Sequence, residues 1–441
     1  MKKPARLILV LSLLPLSWLI VILVIFLFKI NTYDHQRQVF SFRQIILPEE
    51  FYQDHRIGFA TVEITPLFFD SLSGDGLPNH FSTLSANEFY DRNGNGVFDG
   101  LFRSSSHRTI PIRCIDETLW ATLCFLETDN IKIAILSFDG NGISPFLYDL
   151  LGKKLRAGFQ IDFLIVMPSR EYHVPDLTRQ RIPPWSSDLA HQLYQDYFIG
   201  QIREAALAAE KKMTPFSLKV YRQSTNLMVY RFFSSNEPVL GDWIVTRQIG
   251  SVDDDGECVD GGMFHAIRER SRLQGNSNLC FFIGYDPKQR YTSWVNSLYS
   301  LIPDSTNWHR QDSIDFAIDA SNLVLPLEWN QLFALYDNGN IQRSLYRFNS
   351  LTTQISLLKF GDIFYLNSPF DYTPDFYKQI ESFLSNVPGE YYLISRVNDF
   401  PPFVIDRNSE HSFKIMRGFQ NMIQNYQIEN IIEEEEKEID P

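Results

Sequence analysis

Apolar residues alternate with polar or small ones along Ile57-Gly-Phe-Ala-Thr-Val-Glu-Ile-Thr-Pro66. That is the period of a half-buried strand, and Pro66, which cannot donate to a ladder, ends it. Two further strand patterns, Leu119 to Glu127 and Ile131 to Phe138, are joined by a Thr-Asp-Asn turn. The spacing then predicts a helix over Leu147 to Ala157. The continuous apolar run Ile161 to Met167 predicts a strand buried on both faces. A long helix is expected from about Asp188 to Lys212, with Ser186 and Ser187 available as its cap. Leu189, Leu193, Tyr197 and Ile202 lie near one face of it.

Residues 67–112 are rich in Gly, Ser, Asn and Asp and read as a long surface excursion, and residues 216–310 are less regular. Within the latter, Asp253-Asp254-Asp255-Gly256 marks a loop and Leu279 to Gly284 a short buried strand. The strand and helix periods return late in the chain. Strands are expected at Ile355–Leu358, Ile363–Asn367 and Tyr391–Arg396, with a helix over Asp375–Leu384. The strand–helix–strand order predicts an α/β fold of mixed, partly parallel sheets flanked by helices. No internal repeat and no sharp break in composition divides it, so one domain over residues 57–430 is expected, with residues 30–56 as a linker before it.

The N-terminus changes the picture of where this domain works. Lys2, Lys3 and Arg6 precede an uncharged run from Leu7 to Phe28, closed by Lys29. Its 22 residues make a helix of about 33 Å, enough for a bilayer core of roughly 30 Å. No small-residue cleavage site ends the run, which favours a signal anchor over a cleaved signal peptide. Basic residues ahead of the span place the N-terminus in the cytoplasm and the domain outside, facing the periplasm in a bacterial inner membrane. The net charge of −13 excludes nucleic acid as a natural partner. Glu433 to Glu436, Glu438 and Asp440 concentrate part of that charge in residues 431–441, read as a solvated, disordered tail. Cys114, Cys124, Cys258 and Cys280 would sit in an oxidising compartment. Short-loop pairings (Cys114 with Cys124, Cys258 with Cys280) and buried free thiols both remain open.

Two segments carry candidate chemistry. Asp91-Arg-Asn-Gly-Asn-Gly-Val-Phe-Asp99 matches the first nine positions of a calcium loop. It offers oxygen ligands at Asp91, Asn93, Asn95 and Asp99, the Val97 carbonyl, and Gly96 at the sharp turn. Its twelfth position is Phe102 rather than a bidentate Glu, so a plain Asn-Gly turn competes with a calcium site. His173 lies just beyond the buried strand, between Glu171 and Asp176. That cluster can activate water or bind a metal, and an ordinary hydrogen-bonded loop histidine is the competing reading. No His-x-His, His-Glu-x-x-His, Gly-x-Ser-x-Gly or phosphate-binding glycine loop occurs.

Several segments in order resemble the neutral/alkaline ceramidase family, including a bacterial branch. They are Gly58-Phe-Ala-Thr-Val-Glu-Ile-Thr-Pro66, Asn93-Gly-Asn-Gly-Val-Phe-Asp99, Asp116-Glu-Thr-Leu-Trp-Ala121 with Ile133-Ala-Ile-Leu-Ser-Phe-Asp139, and the 161–176 strand and turn. Gly361 to Thr373 and Val397-Asn-Asp-Phe-Pro-Pro-Phe-Val-Ile405 extend the likeness. The resemblance implies the fold of that family's N-terminal domain and a zinc-dependent N-acyl amide hydrolase using two His, a Glu and a Tyr. Residue by residue, the His-x-His turn falls on Arg170 and Tyr172, the Glu on Asp371 and the Tyr on Phe403. The remaining histidine has no counterpart. A guanidinium at a cation's seat opposes the metal, and an Arg170–Asp371 pair would fill the vacated space. The resemblance therefore implies a degenerate zinc site and a domain that binds a lipid or protein ligand, or scaffolds, without a cofactor. Two alternatives stand beside it. One is an amide or ester hydrolase with a rearranged, metal-bearing site on His173, Glu171, Asp176 and Asp371. The other is a calcium-dependent envelope adhesion module centred on residues 91–99.

Overall fold

The computed structural model describes residues 18, 40–46, 55–66, 71–72, 89–91, 94, 100–103, 110–112, 118–128, 131–169, 174–178, 189–223, 227–234, 238–248, 278–285, 309–310, 314–326, 346–347, 350–361, 363–394, 397–398, 404–405 and 410–439. The principal strands among them are β1 (Phe40–Ile46), β2 (Arg56–Glu63), β3 (Trp120–Thr128), β4 (Ile131–Phe138), β5 (Phe163–Pro168), β6 (Thr214–Gln223) and β7 (Leu227–Ser234). They continue with β8 (Val239–Gln248), β9 (Leu279–Tyr285), β10 (Ile314–Pro326), β11 (Ser350–Phe360), β12 (Ile363–Asn367) and β13 (Glu390–Ile394). The helices are α1 (Pro145–Phe159), α2 (Leu189–Lys211), α3 (Pro374–Leu384) and α4 (Glu410–Ile439).

Hydrogen bonds join these strands in the order β1-β10-β11-β12-β13-β9-β8-β7-β6-β2-β3-β4-β5. Burial shows that this path doubles back into two facing layers. Phe59, Cys124, Leu126 and Ile135 from one limb share an inner core with Trp243, Phe282, Phe360 and Tyr365 from the other. The outer face of the first limb, including Leu123, Phe125, Leu136 and Val166, lies under α1 and α2. The outer face of the second, including Leu325, Ile355, Leu357 and Leu366, lies under α3 and α4. The result is a four-layer α/β/β/α sandwich. It explains why every residue from Ile131 to Phe138 is buried: both faces of that strand are covered, so alternation disappears.

The two limbs share one chain path, although no repeat is visible in the sequence. In the first, β2, β3 and β4 pair antiparallel, α1 crosses over, β5 pairs parallel with β4, and α2 returns across β2 and β3. In the second, β10, β11 and β12 pair antiparallel, α3 crosses over, β13 pairs parallel with β12, and α4 returns across β10 and β11. Even the caps correspond. Ser144 Oγ accepts from Leu147 N and Thr373 Oγ1 accepts from Phe376 N, each followed by a proline at the first turn.

Several expectations need correction. Residues 30–56 are not all linker: Phe40–Ile46 adds to the sheet as β1, antiparallel to β10. Residues 216–310 contribute β7, β8 and β9, three full strands. The acidic run of 431–441 is not a disordered tail as far as Ile439, because α4 carries it as helix. On α2 the buried stripe is His191, Tyr194, Phe198, Ile202, Ala205 and Ala209, so Leu193 points outward rather than toward the core. The surface excursion of 67–112 is anchored by buried Phe89, Leu101 and Ile112. Cys124 and Cys280 lie buried on facing strands and neither is in a disulfide, so the structure makes neither short-loop pairing. Apart from Trp18, which is helical, residues 7–28 lie outside the described residues. Among the described residues no helix is long and apolar enough to cross a membrane.

Candidate functional site

In each limb the parallel pair ends in loops at the same end of the sandwich. Such switch points, beyond the carboxyl ends of parallel strands, are where α/β sheets place their ligands. After β4 the chain continues through Asp139, Gly140 and Asn141 to the Ser144 cap, and after β5 through Ser169 into the 170–178 turn. After β12 it continues through Ser368 and Phe370 to the Thr373 cap, and after β13 to Val397 and Asn398.

Backbone hydrogen bonds hold these loops together. Ser169 N donates to Phe138 O at 2.8 Å and Ser144 N to Leu177 O at 2.9 Å, so the turn after β5 is laced to the loop after β4. Ser368 N donates to Ile394 O at 2.8 Å and Val397 N to Ser368 O at 2.9 Å, repeating the arrangement in the second limb. Asn398 joins the limbs. Its N–H donates to Val166 O at 2.8 Å, and its side-chain Oδ1 accepts from Val166 N at 2.9 Å. Its φ of 66° is in the left-handed region, which asparagine tolerates better than most residues.

The loops enclose polar side chains at full or near-full burial: Asp139, Asn141, Ser144, Ser169, Asp176, Thr178, Ser368 and Asn398. Asp139 Oδ2 accepts from Trp120 N at 2.8 Å, and Ser169 Oγ accepts from Gly140 N at 3.2 Å. Tyr194 of α2 lies close by, donating to Ile64 O at 3.0 Å. Burial pushes its hydroxyl well above its ordinary pKa, and the negative charges of Tyr197 and Asp139 add to the rise. Asp176 Oδ1 accepts from both the backbone N and the hydroxyl of Thr178, an Asx-type turn. His191 and His411, near the starts of α2 and α4, are buried at this same end.

The sequence-derived residues distribute unevenly. Asp176 is inside the cluster, whereas Arg170, Glu171, Tyr172 and His173 lie outside the described residues, between buried Ser169 and Val174. The backbone of Asp371 pairs in parallel with Val404, next in sequence to Phe403, so two segments distant in sequence meet here. Phe403 lies outside the described residues, as does the side chain of Asp371. In the proposed calcium loop, Asp91 Oδ1 accepts from Gly94 N at 2.6 Å; Asn93, Asn95, Val97 and Asp99 lie outside the described residues. Among the described residues, no three of His, Cys, Asp and Glu are grouped so as to hold a metal. Sequence reading takes Gly140-Asn141-Gly142 as a plain turn and gives no role to Ser169, Ser368, His191 or His411. Serine and asparagine directly after a buried apolar strand were the available signal.

This sandwich has solved counterparts. Neutral ceramidase from Pseudomonas aeruginosa superimposes with a TM-score of 0.52 over 84% of this chain and 73% of that one, at 8% identity. The chain has a ceramidase-like fold. A second structure, of a ceramidase complexed with C2, gives a TM-score of 0.51 over 84% of this chain and 74% of that one, also at 8% identity. Neither a protein-family model nor a curated protein sequence matches the chain. At this identity the likeness concerns the path of the backbone, and the side chains of the site stand on their own.

Proposed function

We propose that this chain is a membrane-anchored, extracytoplasmic domain that keeps the ceramidase scaffold without its zinc chemistry, and that it works by binding a lipid or protein ligand. The observation that carries this reading is the meeting of three segments at one end of the sandwich: the turn after β5, Ser368–Tyr372, and Val397–Asn398. These are the segments that the resemblance assigns to the ceramidase site. The residues at its ligand positions are Arg170, Tyr172, Asp371 and Phe403. Zinc takes four ligands, or three and a water, from thiolate, imidazole and carboxylate. An arginine and a phenylalanine supply none of these, so this donor set does not fit zinc. A pair between Arg170 and Asp371 is the arrangement we propose in its place.

Metal content and hydrolysis of a fluorescent N-acyl amide, both measured on the purified full chain, test the reading together. Zinc far below one per chain and no turnover are expected. Stoichiometric zinc accompanied by hydrolysis would refute it.

A rearranged hydrolase is favoured by one observation, the burial of Asp139 and Asp176 beside the turn that carries His173. Turnover that disappears in His173→Ala would establish it. Calcium binding at Asp91–Asp99 rests on the Asx turn at Asp91 and Gly94, and chelation that lowers the thermal midpoint would support it.

A further inference from the structure

The strand register fixes where the chain enters the fold. Phe40, the first residue of β1, pairs with Ala320 of β10, which pairs with Ser356 of β11, which pairs with Asn367 of β12. Asn367 pairs in turn with Ile394, the last residue of β13. Phe40 thus lies in one row with the carboxyl ends of the second parallel pair, three strand spacings or roughly 14 Å from Asn367. Because β1 runs away from that row, the chain ahead of Phe40 emerges at the end of the sandwich that bears the candidate site.

We infer that this end of the sandwich is docked against a lipid bilayer. The inference rests on the proposed membrane span at residues 7–28. Only residues 29–39 separate that span from Phe40, and 11 residues reach at most about 40 Å when fully extended. The tether therefore starts the chain at the site end and keeps that end within about 40 Å of the membrane.

The surface agrees with the tether. Leu193, in the second turn of α2, is 51% exposed, and Phe413, in the first turn of α4, is 66% exposed. Both are at the site end. Tyr194, beside Leu193, bonds to Ile64 at the end of β2, whereas the far end of α2 meets the start of β4 through Lys132–Glu210 at 2.6 Å. The pseudo-equivalent helices thus each present one large apolar side chain where the bilayer would be. The opposite end is charged. It carries Glu210, Lys211 and Lys212, and the Arg222–Glu390 pair. On α4, Tyr426 packs on Phe364, near the start of β12, and the helix then runs on through Ile439 with the acidic run Glu433–Glu436. Anionic lipid repels such a segment, so it is placed at the far end from the membrane.

The test uses the full chain reconstituted into phosphatidylcholine–phosphatidylglycerol vesicles. A donor fluorophore is attached through a genetically encoded azide side chain at Phe413, Leu193 or Leu207, with an acceptor on the lipid headgroups. Leu193 and Leu207 lie roughly 21 Å apart along α2, so energy transfer from positions 413 and 193 should exceed that from 207 by roughly twofold. With the donor at Leu193 a Phe413→Glu variant, and with the donor at Phe413 a Leu193→Glu variant, should keep floating with the vesicles and lose at least half of that difference. If the chain floats and transfer from 207 equals or exceeds the other two, the docking is wrong and the anchor stands. If the full chain does not float, the anchor fails and the docking fails with it.

Discussion

Gly58 is the position where the fold leaves least room, and replacing it with alanine tests how α2 is seated. A Cβ at Gly58 would lie 3.1 Å from the Ala209 carbonyl carbon, closer still to its oxygen, and 3.0 Å from Met213 Sδ. Carbon–carbon contacts are optimal near 3.5–4.0 Å. Met213 ends in a flexible thioether that can turn aside, but the Ala209 carbonyl belongs to the helix backbone. Relief therefore requires α2 to back away from β2. That movement stretches the Tyr194–Ile64 bond at the other end of the same helix. Overpacking of this kind costs about 1–3 kcal/mol, and a backbone partner places Gly58 at the upper end. The loss of glycine's unfolded-state freedom returns about 0.5–1 kcal/mol. Gly58→Ala should therefore destabilise the protein by about 2 kcal/mol.

Equilibrium urea unfolding followed by tryptophan fluorescence measures the change, and Gly200→Ala supplies the control. Gly200 is on the exposed side of the same helix with nothing within 4 Å of an added Cβ. Alanine there should stabilise by about 0.5–1 kcal/mol through helix propensity. If Gly58→Ala unfolds at the same urea midpoint as the parent or at a higher one, α2 is not seated as described.

Arg231 pairs with Asp242 across neighbouring strands through two bonds, Nε to Oδ1 at 2.9 Å and Nη2 to Oδ2 at 2.8 Å. Arg231→Ala would leave the buried carboxylate of Asp242 without this pair and should cost about 3 kcal/mol by urea unfolding. A loss under about 1 kcal/mol would show that water or another group replaces the guanidinium. In the inner core, burial pushes the hydroxyls of Tyr230 and Tyr365 above their ordinary value of 10.0, and on the outer face of the second limb burial raises that of Tyr391 to about 12. The folded state thus keeps protons that the unfolded chain releases. The contribution of these tyrosines to stability should be constant below pH 10 and fall as pH rises from 10 through 12. Tyrosinate absorbance and circular dichroism, recorded together, should show these rings ionising only as the fold is lost; full ionisation near pH 10 with the fold intact would refute the burial argument. Asn398→Gly keeps the left-handed backbone and removes the acceptor of Val166 N–H, which should cost about 1–3 kcal/mol. Asn398→Ala should cost more than the glycine variant, because it adds backbone strain at a φ of 66°. Equal losses would assign the whole effect to the side chain.

Much of the architecture was legible because local patterning agreed with the layers. The run 161–167 could be read as a buried strand, the 375–384 segment as a helix, and the two together as partly parallel pairing. The central strands β7 and β8 were harder. Their inward residues Tyr230, Phe232 and Trp243 interleave with Arg231 and Asp242, whose charges are cancelled only across strands. A cross-strand ion pair is invisible in one dimension, so the segment looks irregular. β1 was hidden for another reason. It is short and partly polar, and what identifies it is pairing with a strand almost three hundred residues later. The repeat was hidden because the two limbs share a path and caps but not side chains. Gly58 illustrates the intermediate case. The sequence marks it within a family-like motif, while the reason for it, a helix carbonyl close overhead, exists only in three dimensions.

The same distinction governs the site. Five of the bonds that shape it run through backbone alone: Ser169 to Phe138, Ser144 to Leu177, Ser368 to Ile394, Val397 to Ser368 and Asn398 to Val166. Any residue other than proline can supply such donors and acceptors. The loops can therefore stay in place while the residues at 170–173, 371 and 403 change identity. A site held in this way can change its side chains without losing the sandwich. Loss of a structural zinc, by contrast, would remove folding free energy directly. Two limbs of identical path strengthen the point, because each closes its own parallel pair and Asn398 bonds across to the first of them. The scaffold thus predicts where a ligand is held, and the residues standing in the loops decide what it is.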